Sequence, residues 1–243
     1  MTAPVYIKEL SQPKLNNPII VEGFPGIGMV GPICASYMAE KLDMTLVGCL
    51  SSPKFPPISA IHDFKPVSPA RIYASEKLNL IVLVSEFVIP ANLVYPLTTE
   101  IITWAKKKKV KAIYSLAAIA TPQPVNTIHG IASTAQMGEL LKSKGVELIK
   151  EGATQGVSGV LVTECALEKI PAANIMVQTN QPMDPVAGAR LLDKLSEITG
   201  IQINTKPLID EGHKVEERMK QAMEKMQELH KGYKQMESNP MYG

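Results

Sequence analysis

The chain has 243 residues, with 25 Lys plus Arg against 23 Asp plus Glu and a formal net charge of +2. At roughly 150 residues per domain that is room for one or two domains. With 45% hydrophobic and 20% charged residues, it has the apolar material for a sizeable core and is no disordered chain. The near-even charge balance argues against a nucleic-acid or membrane-surface protein, since either needs a surplus of Lys and Arg.

Cys34, Cys49 and Cys165 are widely spaced. No pair has the short separation of a zinc site or a redox dithiol, so they read as small apolar filler in a reducing compartment. The opening Met-Thr-Ala-Pro-Val-Tyr lacks the basic start and apolar run of a signal peptide. The longest apolar stretch, Leu78 to Val84, is interrupted by Asn79 and is far short of the roughly 20 residues of a membrane helix. A cytoplasmic protein is expected.

In chain order, the β-branched run Pro18 to Val21 leads into a glycine-rich turn, and Met29 to Leu42 follows with a helical pattern. Thr45 to Leu50 reads as a strand, and Pro53, Pro56 and Pro57 mark an irregular connection. Arg71 to Ala74 and Leu78 to Ser85 read as strands, the second so continuously apolar that both its faces must be covered. Asn92 to Lys109 is a helix with its apolar stripe at Val94, Leu97, Ile101, Ile102 and Ala105, and Lys111 to Ile119 is another buried strand.

Ala132 to Lys144 reads as a helix stopped by Gly145. Gly152, Gly156 and Gly159 punctuate a loop ahead of a helix from about Val160 to Lys169. Ala173 to Gln178 is the last strand, and Pro185 to Thr199 a helix between Asp184 as its cap and Gly200. Strands apolar on both faces alternating with helices predict a three-layer α/β/α domain with a largely parallel sheet over residues 1–205.

Residues 206–237 differ in character. Val215, Met219, Ala222, Met226, Leu229, Tyr233 and Met236 recur at alternating spacings of 4 and 3 among Lys, Glu, Gln and Met, the pattern of a coiled-coil seam. A helix folded back on its own domain is one reading. The narrow stripe favours a helix that projects or pairs with another copy. Val215, Met219, Met226, Leu229 and Tyr233 are therefore the candidate oligomer or partner contacts. Asn239-Pro240 ends the helix, and residues 238–243 form a tail tipped by Met241, Tyr242 and Gly243.

The motif with the most chemistry to weigh is Gly23-Phe24-Pro25-Gly26-Ile27-Gly28-Met29-Val30-Gly31, which follows a strand and opens a helix. Gly26, Gly28 and Gly31 have the spacing of a dinucleotide fingerprint. That fold also requires an acid at the end of the next strand to bind the ribose, and Gly48-Cys49-Leu50-Ser51-Ser52 supplies none. Gly23, Phe24, Pro25, Gly26, Gly28 and Gly31 are therefore read as a close-packed structural turn.

Ser158 lacks the frame of a nucleophile elbow. His62, His129, His213 and His230 are scattered, and no set has metal-ligand spacing. Lys106 to Lys109 with Lys111 is a solvated run at a helix end. No catalytic residue, metal or cofactor is indicated.

The block from Pro18 to Gly31 resembles the signature opening of the archaeal proteasome-assembly-chaperone family. The resemblance continues through the Gly152 to Gly159 loop, and through Met183-Asp184-Pro185 with Ala187-Gly188-Ala189-Arg190-Leu191-Leu192. It implies a three-layer fold related to nucleoside phosphorylases but without their active site, homo-oligomers, and a non-enzymatic role in assembling or docking on the proteasome core particle. Met241-Tyr242-Gly243 is similar to the hydrophobic-Tyr-any ending by which proteasome activators dock between α-subunits. The alternative is a small-molecule protein, for nucleosides or nucleotides, using the cleft above the Gly23 to Gly31 turn.

Overall fold

The computed structural model describes residues 4–210 together with 212, 214, 217, 220, 221, 223–226, 228 and 231. In chain order the elements are β1 (Tyr6–Glu9), β2 (Ile19–Gly23), α1 (Val30–Lys41), β3 (Thr45–Ser51), β4 (Ala60–His62), β5 (Lys65–Val67), β6 (Ala70–Ser75), β7 (Leu80–Ser85), α2 (Val94–Lys107), β8 (Ala112–Ala120), β9 (Ile128–Ala132), α3 (Ala135–Ser143), β10 (Glu147–Leu148), α4 (Gly156–Leu167), β11 (Ala172–Thr179), α5 (Pro185–Thr199) and α6 (Lys206–Asp210).

Nine strands form one sheet in the order β1-β3-β6-β7-β2-β8-β11-β9-β10, and β4 with β5 makes a separate hairpin. The sheet is parallel at its centre, where β7, β2, β8 and β11 run side by side. The pairs β1/β3, β3/β6, β6/β7 and β9/β11 are antiparallel, and β10 runs parallel to β9 at the far edge. The three-layer α/β architecture is the expected one, with antiparallel strands added on both sides of the parallel centre.

Every residue of β7 is buried, which a strand achieves only with a layer on each face. One layer is α1 with α5, α3 and α6, packed on Val21, Val82, Val84, Leu116 and Ile175. The other is α2 with α4, packed on Ile20, Ile81, Leu83, Ile113 and Ala172. The strand period of two assigns alternate residues to the two cores.

The main differences between the elements and the sequence reading are these. The segment before α3 is strand β9, so the helix begins at Ala135, where Thr134 accepts a hydrogen bond from Met137 N at 3.2 Å. Helix α4 begins at Gly156, and Gly159 lies inside it because a Cβ there would come within 2.8 Å of Thr154. The proline-rich connection contains the β4/β5 hairpin, turned by Asp63 and Phe64 at φ 48° and 63°. Strand β1 completes the near edge against β3.

The described residues of the C-terminal segment are helical. Met223 packs against the α1/α5 core, and Met226 is 8% exposed within the single chain. At these residues the segment lies back on its own domain instead of projecting, because the methionines find apolar cover there. Val215, Met219, Leu229, Tyr233, Met241, Tyr242 and Gly243 lie outside the described residues. Among the described residues, no helix is long and apolar enough to cross a membrane.

Candidate functional site

Where the parallel strands end, the chain must turn sharply to send α1 back over the sheet. Gly23 and Gly31 allow this by close backbone approach. A Cβ on Gly23 would lie 2.2 Å from Gly31 O, and one on Gly31 would lie 2.7 Å from both Leu116 O and Phe24 O. Gly28 has φ 64° and would press a Cβ against the Thr179 methyl at 2.8 Å, so it meets the left-handed requirement as well. Gly23, Gly28 and Gly31 let helix and sheet approach closely, whereas a Cβ on Gly26 would meet nothing within 4 Å.

The turn is tied to α5. Gly28 O accepts from Asp184 N at 3.0 Å. The Asp184 carboxylate caps α5 by accepting from Ala187 N at 2.8 Å and takes the Thr179 hydroxyl at 2.5 Å. The turn is also tied to α4, since Ser158 Oγ donates to Glu22 Oε2 at 2.9 Å. Three segments far apart in sequence, residues 18–31, 152–159 and 183–192, therefore meet at the carboxyl ends of β2, β8 and β11.

Beneath this junction runs a buried polar row. Glu22, Ser115 and Asn174 are in register across β2, β8 and β11 and point to the α2/α4 side, alternating with the residues that face α1. All three are essentially inaccessible. The Glu22 carboxylate accepts from Phe24 N at 2.8 Å, from Ser158 and from Ser115. Burial pushes its carboxyl above the ordinary value, and the three donated bonds only partly offset this. Asn174 differs, for neither its Oδ1 nor its Nδ2 has a partner among the described residues.

Above the row opens a cleft of about 1710 Å3. The Phe24–Gly31 turn, the start of α2, the 149–155 loop with the start of α4, and Lys220, Met223 and Glu224 line it. Ile27, Val88 and Tyr95 are exposed apolar residues on its rim.

Of the candidate residues, Gly23, Phe24, Pro25, Gly26, Gly28 and Gly31 meet here, whereas Met226 belongs to the C-terminal segment. Glu22, Ser115 and Asn174 were missed. Their signal was a lone polar residue inside each apolar strand run, at positions the shared sheet register aligns. The Ser158 hydroxyl is bonded to the Glu22 carboxyl group. His62 pairs with Glu86, and the His129 ring bonds Gln178. Glu86 also receives the buried Arg71 guanidinium. Among the described residues, no group of His, Cys, Asp and Glu could hold a metal ion.

Together these features define a class: a three-layer α/β protein whose strand-end turn is packed shut by glycines and roofed by a second glycine loop. Residues 20–223 match the model of the PAC2 family, and the chain belongs to that family. The crystal structure of PbaA from Pyrococcus furiosus, an archaeal homologue of proteasome-assembly chaperone, superposes with a TM-score of 0.83 at 30% identity, covering 93% of this chain and 99% of that one. PbaB of the same organism, an archaeal proteasome activator, matches in fold with a TM-score of 0.76 at 20% identity, covering 90% and 99%. An uncharacterised protein of Methanocaldococcus jannaschii is 28% identical over 96% of both chains.

Proposed function

We propose that this protein is a non-enzymatic proteasome assembly chaperone, or an ATP-independent adaptor, that acts as a homo-oligomer on the α-subunits of the proteasome core particle. The observation that carries this reading is the likeness to the PbaA chaperone homologue, which extends over nearly the full length of both chains. The glycine-packed turn supports it too, because the backbone approach that a pyrophosphate would need is taken up by helix–sheet packing.

Docking is assigned to Met241, Tyr242 and Gly243. A free carboxylate can pair with a lysine between adjacent α-subunits while the penultimate tyrosine packs and hydrogen-bonds beside it. Several tails on one oligomer multiply their effect. The remaining stripe residues Val215, Met219, Leu229 and Tyr233 are assigned to contacts between copies or with the partner.

The test is surface binding to matched archaeal α-rings by the full chain, by Tyr242→Ala and by a chain lacking Met241 to Gly243. Loss of about 1–3 kcal/mol per site is expected for truncating the aromatic anchor, which across several tails abolishes measurable binding. Unchanged binding by the truncated chain removes the docking role from the tail. Absence of binding by the full chain removes the proteasome reading itself.

A further inference from the structure

Asn174 is anomalous in a well-satisfied core. It sits on the central sheet, 1% exposed, between Ser115 on β8 and Ile131 on β9 in the register of β11. The serines bonded to Glu22 cannot serve it as donors. The hydroxyl protons of Ser115 and Ser158 are both directed to Glu22, and a hydroxyl has only one proton to give. Glu22, in turn, already holds three donated bonds.

Asn174 is thus left with a donor and an acceptor side by side in one plane. Among the described residues it is the only side chain with both polar atoms buried and unpartnered; Arg71 and Arg190 leave only Nε so. Buried polar groups are kept unpaired only at a cost, so such a pair calls for a partner that is not a side chain of the described fold, an ordered water or a ligand. Asn174 is also one of the residues lining the cleft at the carboxyl ends of the parallel strands, where ligands of open α/β sheets bind.

We propose that Asn174 forms the floor of a binding site for a small, neutral, planar ligand that offers an amide edge, one N–H beside one C=O, on an apolar body. The edge pairs with the Asn174 carboxamide through two parallel hydrogen bonds. The body lies against Phe24 and Val94 of the α2/α4 core and against Met176, two residues on from Asn174 on the same face of β11; all three are buried and line the cleft.

A carboxylate is disfavoured because it offers no donor and would lie near the buried Glu22 carboxyl. An ammonium is disfavoured because the Glu22 oxygens are already taken and a lone amide oxygen cannot neutralise it. The raised proton affinity of Glu22 is in keeping with a site that tolerates little charge. The inference is independent of α-subunit binding, and either can fail without the other.

An open carboxamide and a ring lactam present the same edge, so the probes are benzamide and 2-pyridone, with benzoate and toluene as charged and apolar controls. Binding to the full-length protein is read by saturation-transfer NMR and titration. Benzamide or 2-pyridone is expected to bind saturably and benzoate not at all. Whichever of the two binds names the form of the edge.

Asn174→Leu keeps the shape and removes the pair. It should weaken amide binding about tenfold or more and leave toluene binding unchanged. Asn174→Ala serves as the second variant, and both are checked for wild-type thermal unfolding. The proposal is overturned if neither amide probe binds the wild type saturably up to its solubility limit. It is equally overturned if the variants bind the probes as well as wild type, or if ordered water on both Asn174 atoms stays in place in crystals soaked with the probes.

Discussion

Replacing Gly31 by alanine places a Cβ 2.7 Å from the carbonyl oxygens of both Leu116 and Phe24, and replacing Gly23 places one 2.2 Å from Gly31 O and 2.7 Å from Ala35 Cβ. The opposing oxygens are backbone on β8 and the turn, so no side-chain rotation relieves the overlap. Forcing such an atom into a packed core costs about 1–3 kcal/mol. Gly31 lies in the first turn of α1, where alanine recovers up to about 1 kcal/mol of helix propensity.

Gly23→Ala should therefore cost about 3 kcal/mol or more, and Gly31→Ala about 2 kcal/mol. Gly28→Ala combines about 1–2 kcal/mol of left-handed strain with the contact on Thr179. That residue cannot rotate away while its hydroxyl is held by Asp184 and accepts from Gln181 N. Gly26 has an extended φ of −160° and nothing within 4 Å of a Cβ, so Gly26→Ala should stay within about 0.5 kcal/mol of wild type.

At about 2–4 °C per kcal/mol for a chain of this size, the set should spread over some 10 °C in thermal unfolding, with Gly26→Ala at the top. Urea titrations give the same order in free energy. If Gly23→Ala and Gly31→Ala unfold together with Gly26→Ala, the turn is not packed as described. The motif would then have to be explained by something it binds.

Two further predictions concern the groups tied to that turn. Glu22 has its folded pKa raised above the ordinary 4.5, so its contribution to stability is fully present below the unfolded pKa and is lost as pH rises through the folded value. In Glu22→Gln the oxygen can keep Phe24 N–H while the amide donates to the serine hydroxyls. The variant should therefore gain on wild type as pH rises above 4.5 and then level off, and a pH-independent difference in urea midpoints would contradict the burial argument. Asp184→Ala removes the cap of α5 and strands the Thr179 hydroxyl, for a loss of about 2 kcal/mol. Asp184→Asn should restore most of the Ala187 contact, and equal losses in the two variants would show that capping is not what Asp184 contributes.

The central layer was legible because its signal is strong and local. Ile19–Val21, Leu80–Val84 and Ala112–Leu116 are runs of apolar residues too continuous for a half-wet strand, and each is buried on both faces. Helix ends were legible where a cap residue acts through its own backbone or side chain, as Asp184 and Gly200 do at the two ends of α5. The edges were not. Strand β9 has a histidine and a glycine within five residues, and its pairing with β11 is a tertiary event with no local pattern to announce it. The start of α4 was hidden by Gly156 and Gly159, which read as loop residues. One sits at φ 79° as the helix opens, and the other makes room for Thr154.

The site divides along the same line. Its glycines could be recognised, since close approach and positive φ leave few alternatives to glycine. Its polar row could not, because Glu22, Ser115 and Asn174 are separated by 93 and 59 residues and acquire a common meaning only through strand register. A single polar residue in an apolar strand is compatible with an edge, a bulge or a misjudged boundary. Three of them become one feature when β2, β8 and β11 are placed in parallel, for then the register sets Glu22, Ser115 and Asn174 side by side across the sheet. The row has two halves with opposite bookkeeping of hydrogen bonds. Glu22 collects more donors than any other described carboxylate at the junction and fixes α4 to the turn, while Asn174 collects none and faces the cleft. A core selected only for packing would have placed an aliphatic residue at 174, as it did at Ile175 and Val177 on the opposite face.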